Sequence, residues 1–320
     1  MKNKNGVMSV KAIIEKITEQ IQEGIYPGAS LALYRKGQWS EHYLGLADPE
    51  KGESVVADLV YDLASVSKVV GVATICAFLY AKGELELDRP FKEFYPRFAH
   101  EKTTIRELLT HTSGLDPFIP NRDQLDARQL KTALENLQLK EDKSFHYTDV
   151  NFLLLGFWLE DRFHQPLDRL FEELIFTPWK MTETRFGPVE KAVPTVRGVA
   201  SGSVHDPKAR VLGCHAGSAG LFSTVADLER FLEHYLKDDF ARDLSQNFAR
   251  EEGKTRALGW NLEGDWLDHT GYTGTFIMYN RKRQEAVIFL SNRTYEKDER
   301  AQWILDRNSL MDLIKQEFEK

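Results

Sequence analysis

Two residues that could do covalent chemistry, Ser65 and Lys68, stand three positions apart in this sequence. A serine hydroxyl becomes a nucleophile when a neighbouring base takes its proton, and residues three apart on a helix lie side by side. The apolar run at residues 69–79 predicts a buried helix that begins at Ser65. At such a helix end, backbone N–H groups can stabilise an oxyanion, and desolvation can keep part of the lysine neutral.

A simpler interpretation makes Ser65 a helix N-cap and Lys68 a solvated surface residue. The residues after Lys68 argue against it, because the next polar side chain is that of Thr74, whereas a surface lysine is expected beside other polar residues. The pair is therefore a candidate nucleophile and base, but four residues alone do not establish it.

Two later segments carry further reactive side chains. In the first, Tyr147 and Asp149 come just before an apolar helical stretch; in the second, His269 leads the sequence HTGYTG. Each also has an ordinary structural explanation, a helix cap for the first and a bulged strand start for the second.

In this order, Ser-x-x-Lys, Tyr-Thr-Asp and His-Thr-Gly resemble the three motifs of the serine β-lactamase and penicillin-binding protein superfamily, with the closest match to class C-like members. The connecting stretches at residues 103–115 and 216–224 are also similar to that group. The resemblance spans residues 28–292.

The resemblance implies a role for each matched residue. Ser65 would be the nucleophile, Lys68 its base partner and Tyr147 a phenol that relays protons, while His269 would take the place of the usual third-motif lysine. There it could orient Tyr147 electrostatically or meet a substrate carboxylate. The backbone N–H groups of Ser65 and Tyr272 would form the oxyanion hole. The expected substrate-binding residues are Asp149, Thr270, Gly271 and Tyr272.

Asp149 departs from the family pattern, which usually has asparagine at this position. An ionised carboxylate accepts hydrogen bonds but donates none, so Asp149 cannot donate to a substrate carbonyl. It would also hold Lys68 in its charged form and shift general-base work toward Tyr147. We therefore expect a serine acyl hydrolase that acts on an ester, an amide or a D-Ala-type peptide bond and is a poor β-lactamase. The alternative is a catalytically weak penicillin-binding or sensor module.

The elements that position these residues follow from periodicity. Residues 28–34 with 38–46, and 274–280 with 285–291, predict two hairpins, and helices are expected near both ends of the chain. Between them the signals are mainly helical. The predicted fold class is α+β, with one antiparallel sheet built from both chain ends and flanked by terminal helices. Residues 1–62 and 255–320 would form the sheet subdomain and 63–254 a helical one, with the active site in the cleft between them.

Composition excludes several other classes. The chain has 320 residues and a formal net charge of -7, with no basic cluster for nucleic acid. Its two cysteines, Cys76 and Cys214, predict no disulfide framework. The first 20 residues resemble no signal peptide and no stretch reaches transmembrane length, so a cytoplasmic protein without a membrane partner is expected. The expected partner is a small-molecule or peptide substrate; no cofactor, metal or oligomeric state is predicted.

Two other hydrolase classes are possible interpretations of the sequence. Residues 216–220, AGSAG, approach the Gly-x-Ser-x-Gly nucleophile elbow around Ser218, but a long strand before it and a helix directly after it are missing. A metal hydrolase is disfavoured because no His-Glu-x-x-His or similar ligand spacing occurs.

Overall fold

The two predicted hairpins form the centre of one sheet in the computed structural model, which describes residues 10–250 and 254–320. Residues 1–9 of the predicted sheet subdomain and 251–253 of the helical one lie outside the described residues. The first hairpin turns at Lys36 and Gly37, both with positive φ, as a tight turn between twisted strands requires. Antiparallel register then runs from Arg35 opposite Gln38 to Gly28 opposite Gly45.

Ten strands form two sheets in the described part of the chain. In chain order they are β1 Gly28–Arg35, β2 Gln38–Asp48, β3 Glu53–Ser54, β4 Tyr61–Asp62, β5 Arg185–Phe186, β6 Leu221–Ser223, β7 Asn261–Glu263, β8 Trp266–Thr270, β9 Phe276–Asn280 and β10 Glu285–Ser291. The larger sheet has the order β3-β2-β1-β10-β9-β8-β7 and a smaller one the order β4-β6-β5. Strands from both chain ends meet where β1 pairs with β10, so the predicted fold class is confirmed.

The larger sheet is buried on both faces at its centre. Along β10, Val287 and Phe289 point to a cluster formed with the terminal helices, while Ala286, Ile288 and Leu290 join the main core on the other side. Successive side chains of a strand point to opposite faces, so one apolar strand can serve two cores. The sheet therefore lies between the terminal helices and the helical part of the chain.

The helices of the described chain follow the predicted order. They are α1 Val10–Gln22, α2 Thr74–Ala81, α3 Phe91–Phe94, α4 Ile105–Thr110, α5 Ala127–Glu135, α6 Val150–Phe163, α7 Leu167–Phe171, α8 Pro207–Leu212, α9 Val225–Lys237 and α10 Arg300–Glu319. The helices α1 and α10 cover the outer sheet face, and the others lie in the middle of the chain. The proposed subdomain boundary after residue 62 stays a prediction; it falls at β4, which pairs with β6 of the middle segment.

The helical run that begins at Ala64 lies in the core of the molecule. Residues 64–66 form a 3₁₀ turn, residues 69–73 a π-helical turn, and α2 completes the run. The expectation that no stretch reaches transmembrane length is wrong by length and composition, because Ala64–Ala81 is long and apolar enough to cross a membrane. However, 78% of this stretch is buried inside the protein. Its apolar character is explained by packing in the core.

Candidate active site

Ser65 sits at a backbone turn that is held from several sides. The preceding residue, Ala64, has a φ of 46°, in the left-handed region that non-glycine residues rarely adopt. The buried carboxyl of Asp62 accepts a hydrogen bond from the Ala64 N–H at 2.8 Å. The cap position of the turn belongs to Leu63 rather than to Ser65. Ser65 is therefore not a helix cap, and its hydroxyl is left for other partners.

Lys68 is the principal partner of Ser65. Its fully buried Nζ donates to Ser65 Oγ at 2.9 Å, to Asp149 Oδ1 at 2.8 Å and to the backbone oxygen of Ser218 at 2.8 Å. An ammonium group has three protons to donate, so these three acceptors use all of them. The structure thus brings Ser65, Lys68 and Asp149 together in one hydrogen-bonded chain.

Asp149 determines the charge of this lysine. Burial alone lowers the pKa of Lys68, but the charge and hydrogen bond of Asp149, together with Tyr147, raise it above its usual value. The expectation that desolvation leaves Lys68 partly neutral is wrong for this site, because a carboxylate lies in direct contact with the ammonium. The prediction that Asp149 holds Lys68 charged agrees with this pKa.

Asp149 itself stands at the start of α6, but its carboxylate makes no cap hydrogen bond. Its second oxygen, Oδ2, lies 3.3 Å from the Nζ of Lys208. Burial opposes ionisation of Asp149, yet the two lysines outweigh it and hold the pKa of the carboxyl below its ordinary value. Asp149 is therefore a carboxylate between two ammonium groups.

Tyr147 lies above this chain of charges and is 37% exposed. The Nζ of Lys68 is 5.3 Å from the centre of its ring, and the rings of His111 and His269 lie 4.5 and 6.1 Å from it, centre to centre. The buried guanidinium of Arg256 also interacts electrostatically with Tyr147. The phenol therefore stands among two cations and two imidazoles.

Both imidazoles next to Tyr147 are neutral. Burial, reinforced by the nearby positive charges of Lys68 and Arg256, keeps the pKa values of His111 and His269 well below the ordinary range. His269 Nδ1 lies 3.2 Å from the backbone oxygen of Thr270, and its Nε2 has no hydrogen-bond partner among the described residues. At neutral pH His269 can exchange a hydrogen bond but does not supply the positive charge of a lysine at this position.

The His-Thr-Gly segment presses directly against the nucleophile turn. A Cβ at Gly271 would stand 2.1 Å from Thr275 Oγ1 and 2.6 Å from the backbone oxygen of Leu63, so no side chain fits there. Thr273 and Thr275 fasten the contact by donating to the backbone oxygens of Asp62 and Leu63 at 2.9 and 3.0 Å. The spacing between Ser65 and this segment is thus set by direct backbone contact.

Tyr272 is the predicted second member of the oxyanion hole. Its N–H has no hydrogen-bond partner in the described part of the chain, while its backbone oxygen accepts two hydrogen bonds from Arg293, at 3.1 and 2.6 Å. Asp298 in turn contacts both Arg293 and the Tyr272 hydroxyl. This support holds the residue in place with its N–H available to a substrate oxygen.

These groups line a cleft of about 770 Å³. Seven of the eight predicted site residues line this cleft, namely Ser65, Tyr147, Asp149, His269, Thr270, Gly271 and Tyr272. The eighth, Lys68, is buried beneath it. Six basic side chains also line it, namely Arg122, Lys208, Lys254, Arg293, Arg300 and Arg307, against three acidic ones, Asp149, Asp206 and Asp298. The cleft is therefore positive in a chain of net charge -7, which favours an anionic substrate.

Several groups in the cleft were not predicted from the sequence. Lys208 and Arg307 reach the cleft from α8 and α10, and neither belongs to a recognisable motif. Arg307 donates to Thr270 Oγ1 at 3.1 Å, so it supports a residue that was predicted. His111 lies within the noted stretch at residues 103–115, but nothing in that stretch indicated contact with Tyr147.

The alternative nucleophile Ser218 has no base or other partner for its hydroxyl among the described residues. Its side chain is fully buried, and its hydroxyl has no hydrogen-bond partner in the described parts of the chain. Its contribution to the site is the backbone oxygen that accepts from Lys68. Across residues 10–250 and 254–320 no group of three or more His, Cys, Asp or Glu side chains is arranged to hold a metal ion.

Comparison with known proteins finds similarity over most of the chain. Residues 13–310 match the model of the family described as Beta-lactamase. A relative from Escherichia coli (strain K12), named "Putative D-alanyl-D-alanine carboxypeptidase", is 28% identical, and the match covers 87% of this chain and 81% of the relative.

Solved structures share the fold at lower identity. A β-lactamase/D-alanine carboxypeptidase from Pseudomonas syringae aligns with a TM-score of 0.73 at 20% identity, over 93% of this chain and 98% of its own. EstCE1, a hydrolase with promiscuous acyltransferase activity, aligns with a TM-score of 0.73 at 19% identity, over 94% and 97%.

Proposed function

The chain belongs to the beta-lactamase family, whose members include serine acyl hydrolases, and from that premise we propose that Ser65 is its nucleophile and forms an acyl-enzyme with an ester or a D-Ala-type peptide. The observation that carries the proposal is the hydrogen-bonded chain from Ser65 Oγ through Lys68 to Asp149. A serine held against a buried ammonium at a helix start has the positioning that acyl transfer needs.

In this proposal Tyr147 takes the proton of Ser65. Lys68 is charged and donates all three of its protons, so it has no free lone pair with which to act as a base. Ser65 Oγ attacks the acyl carbon, the N–H groups of Ser65 and Tyr272 stabilise the oxyanion, and the leaving group departs with a proton returned by Tyr147. Tyr147 next accepts a proton from a water molecule as the water oxygen attacks the acyl carbon, and it returns that proton to Ser65 Oγ as the ester bond breaks and the acid leaves.

The substrate preference follows from Asp149 and the cleft charge. Asp149 is a carboxylate and cannot donate a hydrogen bond to the amide carbonyl of a β-lactam side chain, so we propose slow turnover of β-lactams. The excess of basic side chains in the cleft supports a substrate that carries a carboxylate, such as a peptide ending in D-alanine.

The test uses three substrates and two serine variants. The purified protein is assayed with a short p-nitrophenyl ester, nitrocefin and a D-Ala-D-Ala peptide, and Ser65→Ala is compared with the matched variant Ser218→Ala. We expect Ser65→Ala to lose activity by about 10³-fold or more and Ser218→Ala to keep it. Rapid nitrocefin turnover would overturn the substrate preference, and full activity of Ser65→Ala would overturn the nucleophile.

Covalent labelling separates the hydrolase from the alternative, a penicillin-binding or sensor module, which the carboxylate at residue 149 also favours. A hydrolase is labelled by a fluorophosphonate at Ser65 and turns over an ester. A weak module of the same fold retains a fluorescent penicillin on Ser65 without turning over any of the three substrates.

A further inference from the structure

The two lysines that flank Asp149 differ in how their protons are used. Lys68 is fully buried and has three acceptors, all between 2.8 and 2.9 Å. Lys208 has one partner among the described residues, Asp149 Oδ2 at 3.3 Å. An ammonium has three protons, so two of those on Lys208 have no protein acceptor.

Lys208 is built into the site rather than loosely attached to the surface. It is the second residue of α8, which begins at Pro207 and is capped by Asp206, whose carboxylate accepts from the Ala209 N–H at 2.8 Å. The Lys208 side chain is 15% exposed and lines the cleft beside Asp149. An ammonium in this position lacks most of its water, and the cleft is where a further acceptor can reach it.

Asp149 creates the need for such a donor. A side-chain amide at this position could accept from Lys68 with its oxygen and donate to the substrate with its nitrogen. The carboxylate keeps the first function and loses the second. Lys208, in contact with the other carboxylate oxygen, brings N–H donors back to the same place.

We propose that Lys208 is a substrate-binding residue that donates a hydrogen bond to an acceptor oxygen, such as an amide carbonyl, in the acyl part of the substrate. Asp149 would then accept the hydrogen bond from Lys68, and Lys208 would donate to the substrate, which are the two functions that a single asparagine could perform. This inference rests on the proposed function of Ser65. It predicts that the acyl part of the substrate carries a hydrogen-bond acceptor oxygen near the bond that is cleaved.

The test compares two esters that differ in this oxygen. p-Nitrophenyl N-acetylglycinate has an amide carbonyl in its acyl chain, whereas p-nitrophenyl pentanoate has the same chain length without it. The measured quantity is the ratio of kcat/KM for the first ester to that for the second. In Lys208→Met we expect this ratio to fall by about tenfold or more, as for the loss of a charged hydrogen bond.

Three further variants serve as controls for Lys208→Met. Lys208→Arg retains a charged donor and is expected to keep most of the ratio. Arg210→Met removes an exposed positive charge from the same helix, outside the cleft, and should leave the ratio unchanged. In the double variant Asp149→Asn/Lys208→Met the amide can donate again, so the ratio is expected to recover, whatever happens to the absolute rates.

The outcomes separate this inference from the proposed function. A ratio in Lys208→Met equal to that of the unaltered protein, with melting curves that show a folded variant, overturns the role of Lys208. A double variant with a ratio as low as that of Lys208→Met also counts against it. Hydrolysis of either ester by Ser65→Ala at the original rate overturns the proposed function instead.

Discussion

The two walls of the cleft satisfy their polar groups in opposite ways. In the helical wall, formed by Ser65, Lys68, Tyr147 and Asp149, every proton of Lys68 and both oxygens of Asp149 have partners, and the partner of the second Asp149 oxygen is Lys208. In the sheet wall, formed by His269, Thr270, Gly271, Tyr272, Arg293 and Arg307, the His269 Nε2 and the Tyr272 N–H have none among the described residues.

This difference separates two tasks. Charges that already compensate each other need little rearrangement, so the helical wall can hold the nucleophile in one state. Unpaired groups and excess positive charge gain a partner when a substrate arrives, so the sheet wall is suited to binding. Changes in the helical wall should therefore lower kcat for every substrate, whereas changes in the sheet wall should depend on what the substrate carries.

The largest effect is expected for Lys68→Met. The substitution keeps the length of the buried side chain but removes the charge that contacts Ser65 and Asp149. We expect kcat to fall by about 10²- to 10⁴-fold for all substrates, the usual contribution of a group that assists proton transfer.

The control for Lys68→Met is Lys82→Met, which changes an exposed lysine directly after α2. Steady-state kinetics with an ester and a peptide, together with a melting curve, check the result. A loss confined to one substrate would contradict the assignment of Lys68 to the helical wall.

The second largest effect is expected for Gly271→Ala, which acts on the contact between the walls. The new Cβ collides with the backbone oxygen of Leu63 and with Thr275, so the segment carrying the Tyr272 N–H must move. Loss of one oxyanion donor lowers kcat by about 10²- to 10³-fold, and overpacking costs about 1–3 kcal/mol of unfolding free energy.

Gly264→Ala provides the comparison for Gly271→Ala. Gly264 has a positive φ but open space around it, so alanine there strains the backbone without touching the site. Denaturant unfolding and ester kinetics measure both variants. Normal activity of Gly271→Ala would show that the close contact at this glycine does not position the Tyr272 N–H relative to Ser65.

A smaller, substrate-dependent effect is expected for Arg307→Gln. Arg307 lines the cleft and donates to Thr270, so it is placed to attract a carboxylate. We expect KM for a D-Ala-D-Ala peptide to rise by about tenfold, while the neutral pentanoate ester changes little. Lys315→Gln removes a positive charge from the same helix outside the cleft and serves as the control. An equal rise in KM for the peptide and for the ester would contradict the assignment of substrate-dependent binding to the sheet wall.

The smallest effect is expected for the pH dependence of stability in His269→Asn. The pKa of His269 is lower in the folded protein than in the unfolded chain because of burial, so the unfolded chain binds the proton first as pH falls. Above the pKa of histidine in the unfolded chain, about 6.5, the protonation of His269 does not affect the free energy of unfolding. Below that pH it lowers the free energy of unfolding, by at most about 1.4 kcal/mol per pH unit.

Urea unfolding between pH 7 and pH 5 tests this sign for His269. The unaltered protein should lose stability relative to His269→Asn as the pH falls, and the exposed His146 offers a matched variant, His146→Asn. A difference that stays constant with pH would mean that His269 is not buried in its neutral form.

The parts of the site that could be predicted are those set by local spacing. Ser65 and Lys68 are neighbours because they lie three apart on a helical run, and the hairpins follow from alternation and turn residues. Lys208 and Arg307 could not be predicted, because α8 and α10 meet the cleft only after long-range packing. The charge state of His269 was also out of reach, because it depends on burial and on Lys68 and Arg256 rather than on the residues beside it.

The pairing of β1 with β10 has a consequence for the order in which the protein folds. These central strands are separated in sequence by the whole helical segment, so closing the sheet carries the entropic cost of a very long loop. During synthesis one edge of β1 stays unpaired until β10, Glu285–Ser291, has left the ribosome. This edge of β1 is therefore open to wrong pairing until β10 arrives.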